Sequence, residues 1–168
     1  MTRVAPLLFL LFGHCLAQQP QTAELPSDAE INELVTKANE KVSAFETAIK
    51  LVRSDLDSQE DADLLKKDQT TAATAHEIIH ALQKNGPTAY ALVALISVLD
   101  DMALDSSKTA LVLLIRQGLS KPQTQANLAI LGQASTSCRD ISELLLHATL
   151  RMIDVEEAVV RRITSEKH

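Results

Sequence analysis

An all-α fold, a single-domain antiparallel bundle of five to six helices, is what this sequence predicts. Three observations carry that expectation. Apolar residues recur at helical spacing through most of the chain, no segment alternates with the period of two that a half-buried strand needs, and the breaks between helical stretches are short enough to favour antiparallel neighbours.

The first stretch shows the pattern most plainly. Ser27-Asp28-Ala29-Glu30 has the form of a capping box, in which Ser27 and Glu30 each satisfy an orphan backbone N–H. Ile31, Val35, Ala38, Val42, Phe45, Ile49, Val52 and Leu56 then follow at alternating spacings of four and three, with Glu33, Lys37, Glu40, Lys41, Glu46 and Lys50 on the other side. A second helix is expected from about Glu60 to Lys84, with Leu64, Leu65, Ala72, Ala75, Ile79 and Leu82 inward and Ile78 beside them. Asn85-Gly86-Pro87 ends it, because Gly fits the left-handed position after a helix and Pro cannot continue one. A third helix is expected over Thr88–Leu104 and is apolar nearly all round, so it must be buried on most sides. Ser106-Ser107 then cap a fourth helix whose body is Ala110–Ile115, closed by Gly118 and Ser120-Lys121-Pro122. A fifth begins near Thr124 with Leu128, Leu131, Cys138, Ile141, Leu144, Leu145 and Ala148 as its stripe. Gly132 and Ser135-Thr136-Ser137 are places where it would bend. Asp154-Val155-Glu156-Glu157 resembles another capping box, so residues 124–164 form either one unbroken helix or a helix followed by a short one carrying Val155, Val159 and Ile163.

Ahead of the bundle stands a different kind of segment. Arg3, the apolar run Leu7-Leu8-Phe9-Leu10-Leu11-Phe12 and the small residue Ala17 have the order of a signal peptide, expected over residues 1–17. That run is too short to span a bilayer, which takes about 20 apolar residues. Residues 18–26 read as a flexible leader, 27–164 as the bundle domain and 165–168 as a tail. The protein is therefore expected outside the cell, secreted and extracellular, with the cell wall as one destination.

Composition excludes several functions. Sixteen Lys and Arg stand against 22 Asp and Glu, a net charge of −6, with no dense basic cluster beyond Arg161-Arg162. Phosphate backbones need cations gathered on one face, so no nucleic-acid partner is expected. Aromatic residues make up 2% of the chain and tryptophan is absent, which argues against stacking sites for sugars or bases. The few glycines are scattered, whereas phosphate cradles need them clustered. Asn32, Asn39, Asn85 and Asn127 all lack a Ser or Thr two residues on, so no N-linked glycan is expected. Beyond the signal peptide only Cys138 remains of the cysteines, so no disulfide framework is expected. Cys138 is either a buried small hydrophobe or the link of a Cys138-linked dimer.

One pattern has the form of a catalytic motif. His76-Glu77-Ile78-Ile79-His80 matches H-E-x-x-H on a helix, where two imidazoles bind Zn²⁺ and the Glu activates a water. The extended motif asks for Gly and His at positions 83 and 86, where this chain has Gln83 and Gly86. Asp100, Asp101 and Asp105 supply no recognisable third ligand pattern. The alternative places His76 and His80 beside the inward stripe of their helix. No zinc enzyme and no cofactor is expected, and His76 and His80 remain the only metal candidates. Asp61, Asp63, Asp100, Asp101 and Asp105 lack the fixed offsets, central Gly and terminal Glu of a calcium loop.

What remains is aliphatic side chain in excess. Leu92, Leu95, Ile96, Leu99, Leu111, Leu114, Ile115 and Leu119 exceed what one bundle seam needs and are expected to line an apolar interior able to take an alkyl chain. The competing expectation is a filled core, since close packing is the rule.

The chain resembles the fungal hydrophobic surface-binding protein A family, which includes cell-wall galactomannoproteins. The resemblance lies in the segment from Ser27 to Lys50 (SDAEINELVTKANEKVSAFETAIK), the Leu64–Leu82 helix, the Thr109–Leu119 block followed by Ser120-Lys121-Pro122, and the stretch Asp140-Ile141-Ser142-Glu143-Leu144-Leu145. It implies a secreted helical bundle that adsorbs to hydrophobic surfaces or holds fatty acyl chains, without catalytic residues. Cys138, a more charged first helix and the lack of a Ser/Thr-rich end depart from the family and bear on wall attachment more than on fold. The expected function is a non-enzymatic binder of a hydrophobic surface or fatty acyl ligand. The alternative is a secreted protein–protein module or effector, which a filled core with an exposed apolar helix face would favour.

Overall fold

The computed structural model describes residues 26–118 and 121–165. The expected signal peptide, nearly all of the leader, Leu119 and the last three residues lie outside that range. Among the described residues the protein is all helical, with no strand. Four long helices, α1 (Asp28–Ser54), α3 (Lys66–Asn85), α4 (Ala89–Leu113) and α5 (Pro122–Ser165), are joined by a short α2 (Gln59–Leu64) and a π-helical turn over Leu114–Gly118. No helix among the described residues is long and apolar enough to cross a membrane.

Helix α1 follows its sequence pattern. The Ser27 hydroxyl accepts from the Glu30 N–H at 3.1 Å and starts the helix. The Glu30 carboxylate does not reach back to complete the box but pairs with Arg151 of α5. Ile31, Val35, Ala38, Val42, Phe45, Ile49 and Val52 are all buried, and Leu56, past the helix end, is half-buried.

The expected second helix is divided. Ser58 caps α2 by accepting from the Asp61 N–H at 3.0 Å. At Leu65 the backbone tightens, its N–H donating to Ala62 O at 3.2 Å, before α3 begins. Gly86, at φ 82°, ends α3 in a backbone region that side chains with a Cβ avoid.

The expected third and fourth helices are one. Helix α4, capped by Thr88, runs through Ser106 and Ser107 without a break. Neither serine acts as a helix cap. Ser107 returns its hydroxyl to Ala103 O at 2.7 Å, and Ser106 is buried and donates to the Ser135 hydroxyl of α5 at 2.7 Å. Helix α5 is likewise unbroken and extends through Ser165, the first residue of the expected tail. Pro122 occupies its first turn, where the missing N–H costs nothing. Thr136 returns its hydroxyl to Gly132 O at 3.0 Å, and Ser135 donates to Ala103 O of α4 at 3.1 Å, so the suspected bend does not develop into a break.

Helix α1 packs against α3 and α5, and α4 packs against the same two, enclosing one aliphatic core. Glu30 near the start of α1 meets Arg151 late in α5, while Asp55 just past the end of α1 meets Asn127 early in α5. Asp100 and Ser106 of α4 meet Ser142 and Ser135 of α5.

One buried group is poorly served. Asp68, in the first turn of α3, is fully buried facing α4, and its carboxylate oxygens have no hydrogen-bond partner of good geometry among the described residues. Burial pushes its carboxyl up to about 6. The nearby Asp105 adds to the rise, while the Thr109 hydroxyl and Lys67 offset part of it. The folded protein thus holds this proton more tightly than the unfolded chain, whose value is near 3.8. Stability falls as pH rises between those values, and above them ionised Asp68 costs about 3 kcal/mol. Asp68→Asn is therefore expected to stabilise the protein by about 1–3 kcal/mol at pH 7 and to leave it nearly unchanged at pH 4. Urea unfolding of both proteins at the two pH values checks this, and equal stabilisation at both would refute it.

Candidate functional site

The residues expected to line an apolar interior divide between the two sides of α4. Leu92, Leu95, Ile96 and Leu99 lie in the packed core together with Met102 and Leu113. Leu114 is half-buried against that core, and Leu119 is outside the described residues. Leu111 and Ile115 face outward, 58% and 66% exposed. The reason is helical continuity. With no break at Ser106-Ser107, each residue advances about 100° from the last. Leu113 therefore faces the core while Leu111 and Ile115 face away from it.

The outward side of α4 forms a stripe of its own. Leu104, Lys108 and Leu111 stand at i, i+4 and i+7, with Val112 beside them, and Ile115 in the following π-helical turn extends the row; the four aliphatic members are all exposed. The Lys108 stem can lie along this surface with its ammonium in water. Leu104 also borders a groove of about 480 Å³ between α4 and α5, whose floor and rims include Asp100, Ser107, Arg139, Ser142 and Leu146. Leu146 and Leu150 are exposed on the adjoining side of α5. At the other end of α4, Tyr90 is 87% exposed.

Of the acidic residues weighed as calcium ligands, Asp61, Asp63, Asp100 and Asp105 are engaged in ion pairs or hydrogen bonds. Asp61, nearly buried, accepts from Arg116 at 3.0 Å and also pairs with Gln117. The Arg116 hydrogen bond holds the Asp61 carboxyl below its ordinary value, and Asp61 in turn raises Arg116. Both partners of Asp61 come from the π-helical turn, which has no evident signal in the sequence. Asp63 pairs with Lys66 at 2.9 Å and accepts from Gln59 at 2.7 Å. Asp105 pairs with Lys67 at 2.7 Å, a hydrogen bond that lowers the Asp105 carboxyl and raises the Lys67 ammonium.

His76 is held by α1. Its Nδ1 lies 3.1 Å from Asn39 Oδ1, and its Nε2 lies 3.5 Å from Glu46 Oε1. Glu77 and His80 are exposed. Among the described residues no three His, Cys, Asp or Glu side chains are placed to share a metal ion. Of the two expectations for Cys138, the structure matches burial. The residue is fully enclosed, and burial pushes its thiol up to about 12, far from the thiolate that disulfide exchange needs.

Compared with known family models, curated proteins and solved structures, the chain finds no match.

The pairing of both His76 nitrogens assigns that residue to the α1–α3 contact. His76→Ala is expected to lower stability by about 1 kcal/mol. Added Zn²⁺ is expected to leave the melting temperature of the unaltered protein unchanged. A metal-dependent rise in melting temperature that His76→Ala and His80→Ala each abolish would overturn the structural assignment.

Proposed function

We propose that this protein is a secreted, non-enzymatic antiparallel bundle that adsorbs to hydrophobic material through the outer face of α4. The observation that carries the proposal is the exposed stripe of Leu104, Leu111 and Val112 on α4, extended by Ile115 in the π-helical turn that follows, on a helix whose opposite side is already packed into the core. Contiguous exposed aliphatic groups of this kind mark contact surfaces. Their burial against an apolar phase is favourable, non-directional and proportional to area. The apolar partner is a solid or liquid surface, or the acyl region of a lipid layer. The family resemblance and the apolar N-terminal segment support a secreted role. The net negative charge keeps the rest of the surface hydrated.

A protein partner is the second reading, because a packed core backing an exposed helix face also suits docking. Composition favours adsorption. Protein hot spots are enriched in Trp, Tyr and Arg, whereas this stripe is built from Leu, Val and Ile around a single Lys. Tyr90 stands at the far end of the helix.

Leu111→Ser combined with Ile115→Ser is expected to weaken binding to alkyl-coated beads roughly tenfold or more. Both side chains are exposed, so the circular dichroism spectrum and unfolding midpoint should stay close to those of the unaltered protein. Unchanged adsorption by a folded double variant would refute the assignment of the face. Failure of the unaltered protein to adsorb to either alkyl-coated beads or lipid vesicles would refute the function itself.

A further inference from the structure

Asn85 and Gly86 stand at the junction of α3 and α4. The fold requires Gly86 there. Its φ of 82° and ψ of 161° turn the chain out of α3 in a region that residues with a Cβ avoid, and Pro87 then keeps the helix from resuming. Asn85 is the last residue of α3. It is exposed, and its side chain makes no hydrogen bond among the described residues.

An asparagine followed by glycine is open to attack on its own side chain. The backbone nitrogen of the next residue bonds to the side-chain carbonyl carbon and closes a cyclic imide. A side chain on that next residue would obstruct the approach. Gly86 has none, and apart from adjacent chain nothing lies within 4 Å of where its Cβ would stand. The attack requires ψ of Asn85 to leave its helical value. Carbonyls in the last turn of a helix have no partner within it, so this rotation breaks no such bond at the Asn85 C=O, and helix ends open readily. The other asparagines lack this combination. Asn32 and Asn39 precede Glu33 and Glu40 inside α1, and Asn39 faces His76. Asn127 is buried, pairs with Asp55 and precedes Leu128.

We propose that Asn85 is a site of spontaneous deamidation, driven by the Gly86 backbone nitrogen. That nitrogen bonds to Asn85 Cγ and gives up its proton, the Cγ–Nδ2 bond breaks, and ammonia leaves. Water then opens the imide. Addition at Cγ yields aspartate. Addition at the Asn85 main-chain carbonyl carbon yields isoaspartate, whose backbone runs through the former side chain. A water enters for each ammonia lost, and no electrons are transferred.

Both products bear on the connection between α3 and α4. Each places a carboxylate at the C-terminal end of α3, where the helix dipole disfavours negative charge, with Lys84 nearby as partial compensation. Isoaspartate also lengthens the backbone by a single atom ahead of Thr88, whose hydroxyl starts α4 by accepting from the Ala91 N–H at 3.2 Å. The inference does not rest on adsorption by α4.

Peptide mapping by mass spectrometry of the protein held in mildly alkaline buffer tests the proposal, beside a synthetic peptide of residues 80–90. Conversion of Asn85 within roughly tenfold of the peptide's rate is expected, giving both aspartate and isoaspartate. Asn32, Asn39 and Asn127 should keep their amides over the same period. Asn85→Gln should remove the early gain in mass and leave the unfolding midpoint unchanged, because the longer side chain must close a larger, slower-forming ring. An Asn85 that stays intact while the peptide converts would overturn the proposal. So would earlier conversion at another asparagine, or a mass gain that persists in Asn85→Gln. Equal unfolding midpoints for aged and fresh protein would refute the effect on the α3–α4 connection.

Discussion

The continuity of α4 through Ser106-Ser107 determines which of its side chains the protein buries and which it presents. A break there would leave the following segment free to turn Leu111 and Ile115 inward. Two local interactions work against a break. Ser107 closes its hydroxyl onto Ala103 O, and Ser106 crosses to Ser135 of α5. Ser135 in turn donates to Ala103 O, so three groups on two helices satisfy one another inside the bundle. A buried hydroxyl without a partner is costly, and a satisfied network fixes register as well as contact. The pair also ties α4 to α5 at one level, and the Asp100–Ser142 contact repeats the tie further along.

Two aspartates, one in α2 and one in the first turn of α3, show how far partners decide the effect of burial. Asp61 and Asp68 are both buried, a short distance apart in sequence. Asp61 receives Arg116 and Gln117 from the π-helical turn and its carboxyl is lowered, whereas Asp68 lacks a well-placed donor and its carboxyl is raised. The end of the bundle near Asp61 is further closed by pairs between Lys121 and Asp57 and between Asn127 and Asp55. Exposed ion pairs contribute little to stability, so the weight there falls on the less exposed contacts of Asp61 and Asn127.

Helix class and inward positions were legible wherever periodicity alone decides them. The alternating stripe of α1 predicted every buried large side chain of that helix, because a long amphipathic helix has only one way to hide such a stripe. Boundaries were less legible. Ser106-Ser107 has the local chemistry of a cap, and only the presence of Ser135 across the interface makes a helix interior satisfactory there. Likewise Asp154–Glu157 resembles a capping box but lies inside α5, where acidic residues are equally at ease on an exposed face. The α4 face was legible as surplus aliphatic content. Its direction depended on whether two short helices or one long one carried it, and that was settled by a contact remote in sequence.

The two sides of α4 also differ in how firmly they are held. Toward α5 the helix is fixed by the satisfied Ser106–Ser135 pair. Toward α3, near Asp105 and Thr109, it faces the poorly partnered carboxyl of Asp68. The exposed Leu104 and Leu111 occupy the same stretch of α4. Replacing Asp68 by an apolar residue would remove a destabilising charge from the α3–α4 contact. The α3 side of α4 therefore gains less from its buried polar group than the α5 side, where the hydroxyl pair is satisfied.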